Sequence, residues 1–392
     1  MKLETNYFSN SLNFKEKTGQ ALNNWAQSFI RPIDYSVEHC TQVFADASSS
    51  KAHKIAVACL HTLVFPCTYV LYITGTLLDQ TGDFLKVRSY NYLPGNAKEK
   101  NPSSQAPFSL LSANLCMLPY GIWTWAGISP AYQRTDALAR KILESDSDFV
   151  CLQEMAPSHA NTLWNKIKKN YAHGFSRIGP MPSNRMNAGL FFASKYPIEK
   201  TLYHPLPNTG PIARGIFCAK THIGWILTSH LNAGSSDSDI LLRREQVSAI
   251  QKLCEKLSEN GKIPCLVAMD SNIKRTGKEN DEYSLSEIPK YFYNSFTTPQ
   301  PFCLTPETAT CTNVPGLALK GKSPKDLEDA YEHIDYILTY KASANSLCLK
   351  TQQLPTYSQI NALPLSDHKM LLAKGAYHQL GKPINITSDT LK

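Results

Sequence analysis

From Phe108 onward, short apolar blocks alternate with stretches of helical periodicity. The block beginning Phe108-Ser-Leu-Leu-Ser-Ala-Asn-Leu has the length and flanks of a buried strand. So do those over Asp148–Leu152, Leu190–Ser194, Gly224–Ser229, Ile263–Met269 and Ile334–Thr339. Between them, Leu138–Leu143 sits in a helical stretch, and Leu242, Val247, Ile250, Leu253 and Leu257 line one face of a helix over Leu241–Leu257. The alternation runs to about Lys374 and predicts a large α/β domain without internal repeats.

A different pattern precedes it. Ile55–Leu78 is an uncharged run of about 24 residues, long enough to cross a bilayer. Lys51 and Lys54 flank one side; Asp79, Asp83, Lys86 and Arg88 flank the other. His61, Thr62, Pro66, Thr68 and Thr74 make its centre more polar than a full span, and a proline inside a helix removes a hydrogen bond. The expectation is a membrane-associating pair of short helices that break at Pro66 and dip into the bilayer. A packed core helix is the alternative. The N-terminus mixes Lys2, Glu4, Lys15, Glu16 and Lys17 and does not read as a secretory signal. Asn96–Pro107 is polar and proline-bearing, which marks a linker. The expected division is an N-terminal helical, membrane-associating segment over 1–100, a catalytic domain over 101–378 and a polar tail over 379–392.

Composition narrows the partners. With 392 residues, 42% hydrophobic and 18% charged, the chain is globular and long enough to bury a core without staples. A net charge of +8 suits an anionic partner: a phosphorylated small molecule, a nucleic acid or an anionic bilayer. Eleven cysteines without a CxxC pair read as free thiols on the reducing, intracellular side of a membrane. Neither a disulfide framework nor a zinc site is signalled.

Six polar clusters each fall at the C-terminal end of an apolar strand or in the loop just after it. They are Asn114; Glu154 in Leu-Gln-Glu; His230 with Asn232; Asp270 with Asn272; Asp335 in Ile-Asp-Tyr; and Asp367-His368 after Ser366. A strand end holds a side chain rigidly at a pocket mouth. Any one of them is equally a surface carboxylate, a core histidine or a turn-forming Asn; their order and placement make the set specific. Cleaving a phosphodiester with water needs a cation against the phosphoryl oxygens, a base for the water and donors for the transition state. Glu154 offers the hard oxygen that Mg2+ prefers. Asp335 and His368 form a natural pair, the carboxylate fixing the tautomer while the other ring nitrogen works on water. Asp270 can orient or deprotonate that water, and Asn114, Asn272 and His230 can donate to the phosphate.

Taken in order, these clusters resemble the endonuclease/exonuclease/phosphatase superfamily over about Phe108–Lys374. Five stretches are similar to the membrane-attached neutral sphingomyelinases in particular. These are Ala113-Asn-Leu-Cys-Met-Leu-Pro119, Asp148-Phe-Val-Cys-Leu-Gln-Glu154, Asn187-Ala-Gly-Leu-Phe-Phe-Ala-Ser-Lys-Tyr-Pro-Ile198, His333-Ile-Asp-Tyr-Ile-Leu338 and Leu365-Ser-Asp-His368. The proline-interrupted apolar segment ahead of them is shared too. The resemblance implies a four-layer α/β sandwich, two mostly antiparallel sheets with helices outside. It implies Mg2+ at Glu154, Asn114 and Asp367, with His230, Asp270 and Asn272 around the scissile phosphate. Asp335 then stands behind the general base His368, and Asn114, Asn187 and Asn232 contact substrate. Whether His368 or Asp270 takes the water proton stays open. Two departures stand out: Met269-Asp-Ser-Asn272 replaces the family's Gly-Asp-Phe-Asn, and Arg214 replaces a loop lysine whose acidic partner has no match at Thr209.

The activity expected is Mg2+-dependent hydrolysis of sphingomyelin, a membrane phospholipid, to ceramide and phosphocholine. Trp123 and Trp125 are candidate walls for choline. A nuclease or phosphoinositide phosphatase is the first alternative, since the same catalytic set serves those substrates. Arg243 and Arg244 are too few to argue a nucleic-acid groove, so an anionic lipid is the favoured additional partner. The second alternative is an inactive, membrane-tethered interaction protein, against which the retention of every catalytic residue type argues.

Overall fold

The computed structural model describes residues 6–7, 12–46, 48–86, 88–101, 107–119, 128–180, 187–210, 212–295, 310–312, 331–354 and 365–377. Their apolar blocks pair into two seven-stranded sheets. The first runs, edge to edge, Asn6–Tyr7, Lys200–Pro205, Gly215–Thr221, Gly224–His230, Cys265–Asp270, Asp335–Tyr340 and Phe292–Asn294. The second runs Leu347–Leu354, Met370–Tyr377, Phe108–Met117, Phe149–Met155, Phe191–Ser194, His173–Ser176 and Asn91–Pro94. Most neighbours are antiparallel. Phe108–Met117 beside Phe149–Met155, and Gly224–His230 beside Cys265–Asp270, are parallel.

Alternation along each strand sorts the side chains into layers. On Cys265–Asp270, Leu266 and Ala268 enter the core between the sheets, while Cys265, Val267 and Met269 pack under the helix Asp237–Leu257. On Phe108–Met117, Phe108 and Leu110 point between the sheets. Leu111, Ala113 and Leu115 face the helices Ala131–Glu144 and Pro157–Ile167. The result is the four-layer sandwich expected from the sequence.

The N-terminal region differs from its expectation in three ways. Pro66 does not break the apolar run: Lys51–Leu85 is one helix, with Pro66 on its exposed side. The hairpin partner is instead a second long helix, Phe14–Ala45, which the apolar pattern did not mark. The two helices touch through glycine. A Cβ on Gly19 would come within 2.6 Å of the Gly82 carbonyl, so the backbones meet where no side chain fits. The boundary at residue 100 also falls inside the folded unit. Asn6–Tyr7 and Asn91–Pro94 are edge strands of the two sheets, and Tyr90 and Tyr92 enter the central core. The polar linker is pinned as well, Asn96 N donating to Lys168 O (2.8 Å) and Lys100 N to Lys195 O (2.8 Å).

Buried polar contacts fasten the hairpin to the sandwich. Asp79 Oδ1 meets Arg177 Nη1 at 2.9 Å, and Glu38 meets His159 Nε2 at 3.1 Å. The opposite side of Lys51–Leu85 is bare: Ile55, Leu63, Phe65 and Val70 are more than half exposed. The helix is long and apolar enough to cross a membrane: its apolar 18-residue stretch has a mean hydropathy of 1.7 and is 6% buried.

Candidate active site

Three strand ends place three candidate residues in one row. In the first sheet Asp270 pairs in register with His230 on one side and with Asp335 on the other. All three share the strand face that buries Ile226, Ala268 and Ile337 between the sheets. Asp335 opens its strand, and Asp367 and His368 precede theirs, because both strands run antiparallel to their neighbours. The expectation that every cluster follows a strand therefore fails for these three.

The second sheet supplies the rest. Asn114 shares the face of Phe108 and Leu110, and its Nδ2 donates to Asp270 Oδ2 at 2.9 Å. Glu154 has the opposite strand parity, but its φ of +53° turns the chain, and its Oε1 lies 3.9 Å from His230 Nε2. Gly189 packs against that turn: its own φ is +63°, its carbonyl accepts from Met155 N (2.8 Å), and a Cβ there would sit 3.5 Å from the Glu154 Cα. Asn187 Oδ1 accepts from Gly189 N (2.9 Å), which leaves its buried Nδ2 without a partner among the described residues.

His368 Nδ1 lies 2.9 Å from Asp335 Oδ2, and its Nε2 lies 3.9 Å from both Asp270 Oδ2 and Asp367 Oδ1. His230 Nε2 is 3.5 Å from Asp270 Oδ2. Asn272 is used locally: its N donates to Asp270 Oδ1 (3.0 Å) and its Nδ2 to Leu231 O (3.2 Å), fixing the Asp270 loop. Asn232 is not brought into the cluster. Its amide donates to Ala233 O and Asp239 Oδ1, both at 2.8 Å, and so ties the loop to the start of the helix Asp237–Leu257. Trp123 and Trp125 lie outside the described residues, as does the tail 379–392.

Electrostatics separate these groups. Burial, then the Asp367 carboxylate, pushes Glu154 up to about 7. Burial, reinforced by the Arg214 cation, pushes His230 down to about 3, so it is a neutral ring. Burial also opposes ionisation of Asp270, but the facing His230 and His368 rings and the Asn114 amide outweigh it and hold Asp270 below its ordinary value. For His368, burial is outweighed by the Asp335 carboxylate, with Cys311 and Asp367 adding to it, and the imidazole is raised well above its usual range.

Sequence reasoning passed over three buried neighbours. Arg214 lines a cavity of about 130 Å3 together with Leu118, Glu154, Asn187, Ile212 and His230. Arg134 donates through Nε to Ser129 O (2.8 Å) and through its terminal nitrogens to the carbonyls of Leu115, Cys116 and Leu365. One guanidinium thus clamps the chain just after Asn114 to the chain just before Ser366. Cys311 pairs with His368 in an isolated bridge, and burial pushes its thiol up to about 12. Only Arg214 carried a sequence signal, its alignment with a loop lysine of the resembling family; an isolated Arg or Cys carries none.

A carboxylate–imidazole cluster closes one end of a two-sheet sandwich, an architecture of the endonuclease/exonuclease/phosphatase type. The Endonuclease/Exonuclease/phosphatase family model matches residues 111–219, and the resemblance read from the motifs is borne out. Among particular proteins, sphingomyelin phosphodiesterase 3 of Rattus norvegicus is 30% identical over 128 residues, 26% of this chain. The chain spans about a fifth (19%) of that curated relative's length. Of solved structures, SmcL has a TM-score of 0.52 at 19% identity, covering 69% of this chain and 99% of that one. Sphingomyelinase C from Streptomyces griseocarneus has a TM-score of 0.50 at 16% identity, covering 69% and 99%. A mutant beta toxin from Staphylococcus aureus with bound magnesium ions has a TM-score of 0.50 at 16% identity, covering 70% and 100%. At these identities the structures speak for the fold.

Proposed function

We propose that this chain is a Mg2+-dependent phosphodiesterase that hydrolyses sphingomyelin at a membrane to ceramide and phosphocholine. The observation that carries the phosphodiesterase reading is the row His230–Asp270–Asp335, with His368 and Glu154 closing over it from the second sheet. The sphingomyelin reading is supported by the curated relative and by the bare apolar side of Lys51–Leu85, which suits a substrate met in a bilayer.

The residues fit a divalent cation. Glu154 Oε2 is buried without a partner among the described residues, and a second carboxylate, Asp367, is close enough to raise its pKa. Glu154 and Asp367 would hold the ion, with Asn114 beside them; bound there, it offsets charge on the phosphoryl oxygens. The remaining work falls to side chains. Asp335 fixes the His368 ring through Nδ1 and leaves Nε2 facing Asp270 at 3.9 Å, so that a water placed beside the pair is within reach of both. That water is the nucleophile, held by Asp270 and His368. The proton it loses is taken by Asp270 or by the neutral form of His368, and Asp335 stabilises the resulting imidazolium. Neutral His230 donates to a phosphoryl oxygen. Asn187 Nδ2 and the Arg214 guanidinium donate from the cavity wall.

The test is product analysis with the purified full chain on sphingomyelin vesicles, plasmid DNA and phosphoinositide vesicles, each with Mg2+ or with EDTA. Mg2+-dependent release of phosphocholine is the expected result. Turnover indifferent to EDTA would overturn the metal assignment, preference for DNA or phosphoinositide the substrate, and inactivity on all three the enzyme.

A further inference from the structure

The Ser366–His368 loop has a neighbour that the phosphodiesterase reading leaves unused. Besides the Cys311–His368 bridge, Lys369 N donates to Thr310 O at 2.8 Å. Thr310 Oγ1 in turn accepts from Ile334 N (3.0 Å) and Asp335 N (3.1 Å), so a short segment is fixed between the two members of the Asp335–His368 pair. This brings the Cys311 sulfur, a carboxylate oxygen of Asp367 and a ring nitrogen of His368 within 4.8 Å of one another. Cys311 and His368 are buried, and the Asp367 side chain, 22% exposed, opens the group to solvent.

The chemistry of this set differs from that around Glu154. Thiolate, imidazole and one carboxylate are the mixed donors that Zn2+ takes in tetrahedral geometry, here with a fourth position left for water, whereas Mg2+ wants oxygen ligands in an octahedron. The Asp335 carboxylate on Nδ1 is the outer partner that metal-bound histidines carry, and it leaves Nε2 to ligate. We infer that Cys311, Asp367 and His368 form an inhibitory Zn2+ site beside the reaction centre. Zinc binds the sulfur, one carboxylate oxygen and the lone pair of the imidazole, and the thiol proton and the Nε2 proton of the imidazolium both leave to solvent. His368 then has no lone pair for water. Inhibition rests on the reading of His368 as the base; binding does not.

Cobalt reports the site without any assay of turnover. Co2+ titrated into the purified full chain is expected to give the near-ultraviolet absorption of a thiolate–cobalt bond, removed by Zn2+; excess Mg2+, which competes only for the shared Asp367 carboxylate, should weaken the band without abolishing it. Cys311→Ser, or Cys311→Ala if the serine variant melts early, should abolish the band, while Cys116→Ser should keep it. In the activity assay, Zn2+ should inhibit the Mg2+-supported reaction, and Cys311→Ser should raise the inhibitory concentration by about tenfold or more, each protein being measured against its own zinc-free rate. No band in the wild type, or a band that survives Cys311→Ser, overturns the site. A Cys311-dependent band in a chain with no phosphodiesterase activity supports the site and overturns the proposed function instead.

Discussion

Asn114 Nδ2 and Asp270 Oδ2 lie 2.9 Å apart, a hydrogen bond that braces the two sheets against each other at the end that carries the reactive groups. Asn114 Oδ1 also accepts from Cys116 N at 2.9 Å, so the amide is fixed at both ends. Asn114→Ala removes a donor from a buried carboxylate, an expected cost of about 1–3 kcal/mol in stability. Loss of the brace should also lower kcat by about a hundredfold. Melting curves and kcat on one preparation decide the point. A destabilised variant with wild-type kcat would make the bond structural only.

His368 and Asp335 are expected to behave as one unit. Asp335→Asn removes the carboxylate that holds the His368 proton and favours the other tautomer, so kcat should fall by several orders of magnitude. The His368 titration should move to lower pH, because less negative charge then opposes deprotonation of the ring. The double variant with His368→Ala should be little worse than His368→Ala alone. Strictly additive losses, or an unmoved acid limb in the rate profile, would show that the pair does not share a function.

Glu154 gives the pH dependence a sign. Its folded pKa of about 7 lies above the ordinary 4.5 because burial and Asp367 disfavour the anion. In metal-free protein its contribution to stability is therefore fully present below about 4.5 and is lost as pH rises through about 7. A cation must displace that proton, so apparent Mg2+ affinity should rise by about tenfold per pH unit up to about 7 and then level off. Glu154→Gln should flatten both trends and abolish turnover. Calorimetric Mg2+ titrations at several pH values test this directly; an affinity independent of pH would remove Glu154 from the metal.

The strands were legible because most are buried on both faces and read as continuous apolar blocks, Phe149–Met155 among them. Residues at their ends, such as Asp270, were legible for the same reason. The helix Phe14–Ala45 was not, because its buried face interleaves Asn23, Gln27, Asp34 and Glu38 with Ala26, Ile30 and Ile33, which breaks up the apolar stripe that would have been the signal. Pro66 misled because a proline forfeits one backbone hydrogen bond and crowds one carbonyl, a local cost that the 35-residue helix Lys51–Leu85 absorbs. Arg134 was invisible for another reason: it bonds backbone carbonyls, so its partners leave no mark in side-chain patterns.

The bare side of Lys51–Leu85 carries the last prediction, and the fold dictates how to test it. Deleting residues 1–100 is a poor experiment, since it removes Asn6–Tyr7, Asn91–Pro94, Tyr90 and Tyr92 from the two sheets and their core. That truncation should aggregate whatever the helix does. Leu63→Glu with Phe65→Glu leaves the core intact, because these side chains are 78% and 51% exposed. If the helix enters a bilayer, each apolar side chain contributes roughly 1.5–3 kcal/mol to partitioning, and a carboxylate in its place opposes insertion outright. The double variant should then bind lipid vesicles at least about a hundredfold more weakly and lose turnover on them in proportion. It should keep its melting temperature and its kcat on detergent-dispersed substrate, where no bilayer has to be found. Equal vesicle binding by wild type and variant would remove the helix from the membrane. A variant that unfolds would show that this side is covered by protein, and the search would turn to a partner that packs against Ile55, Leu63, Phe65 and Val70.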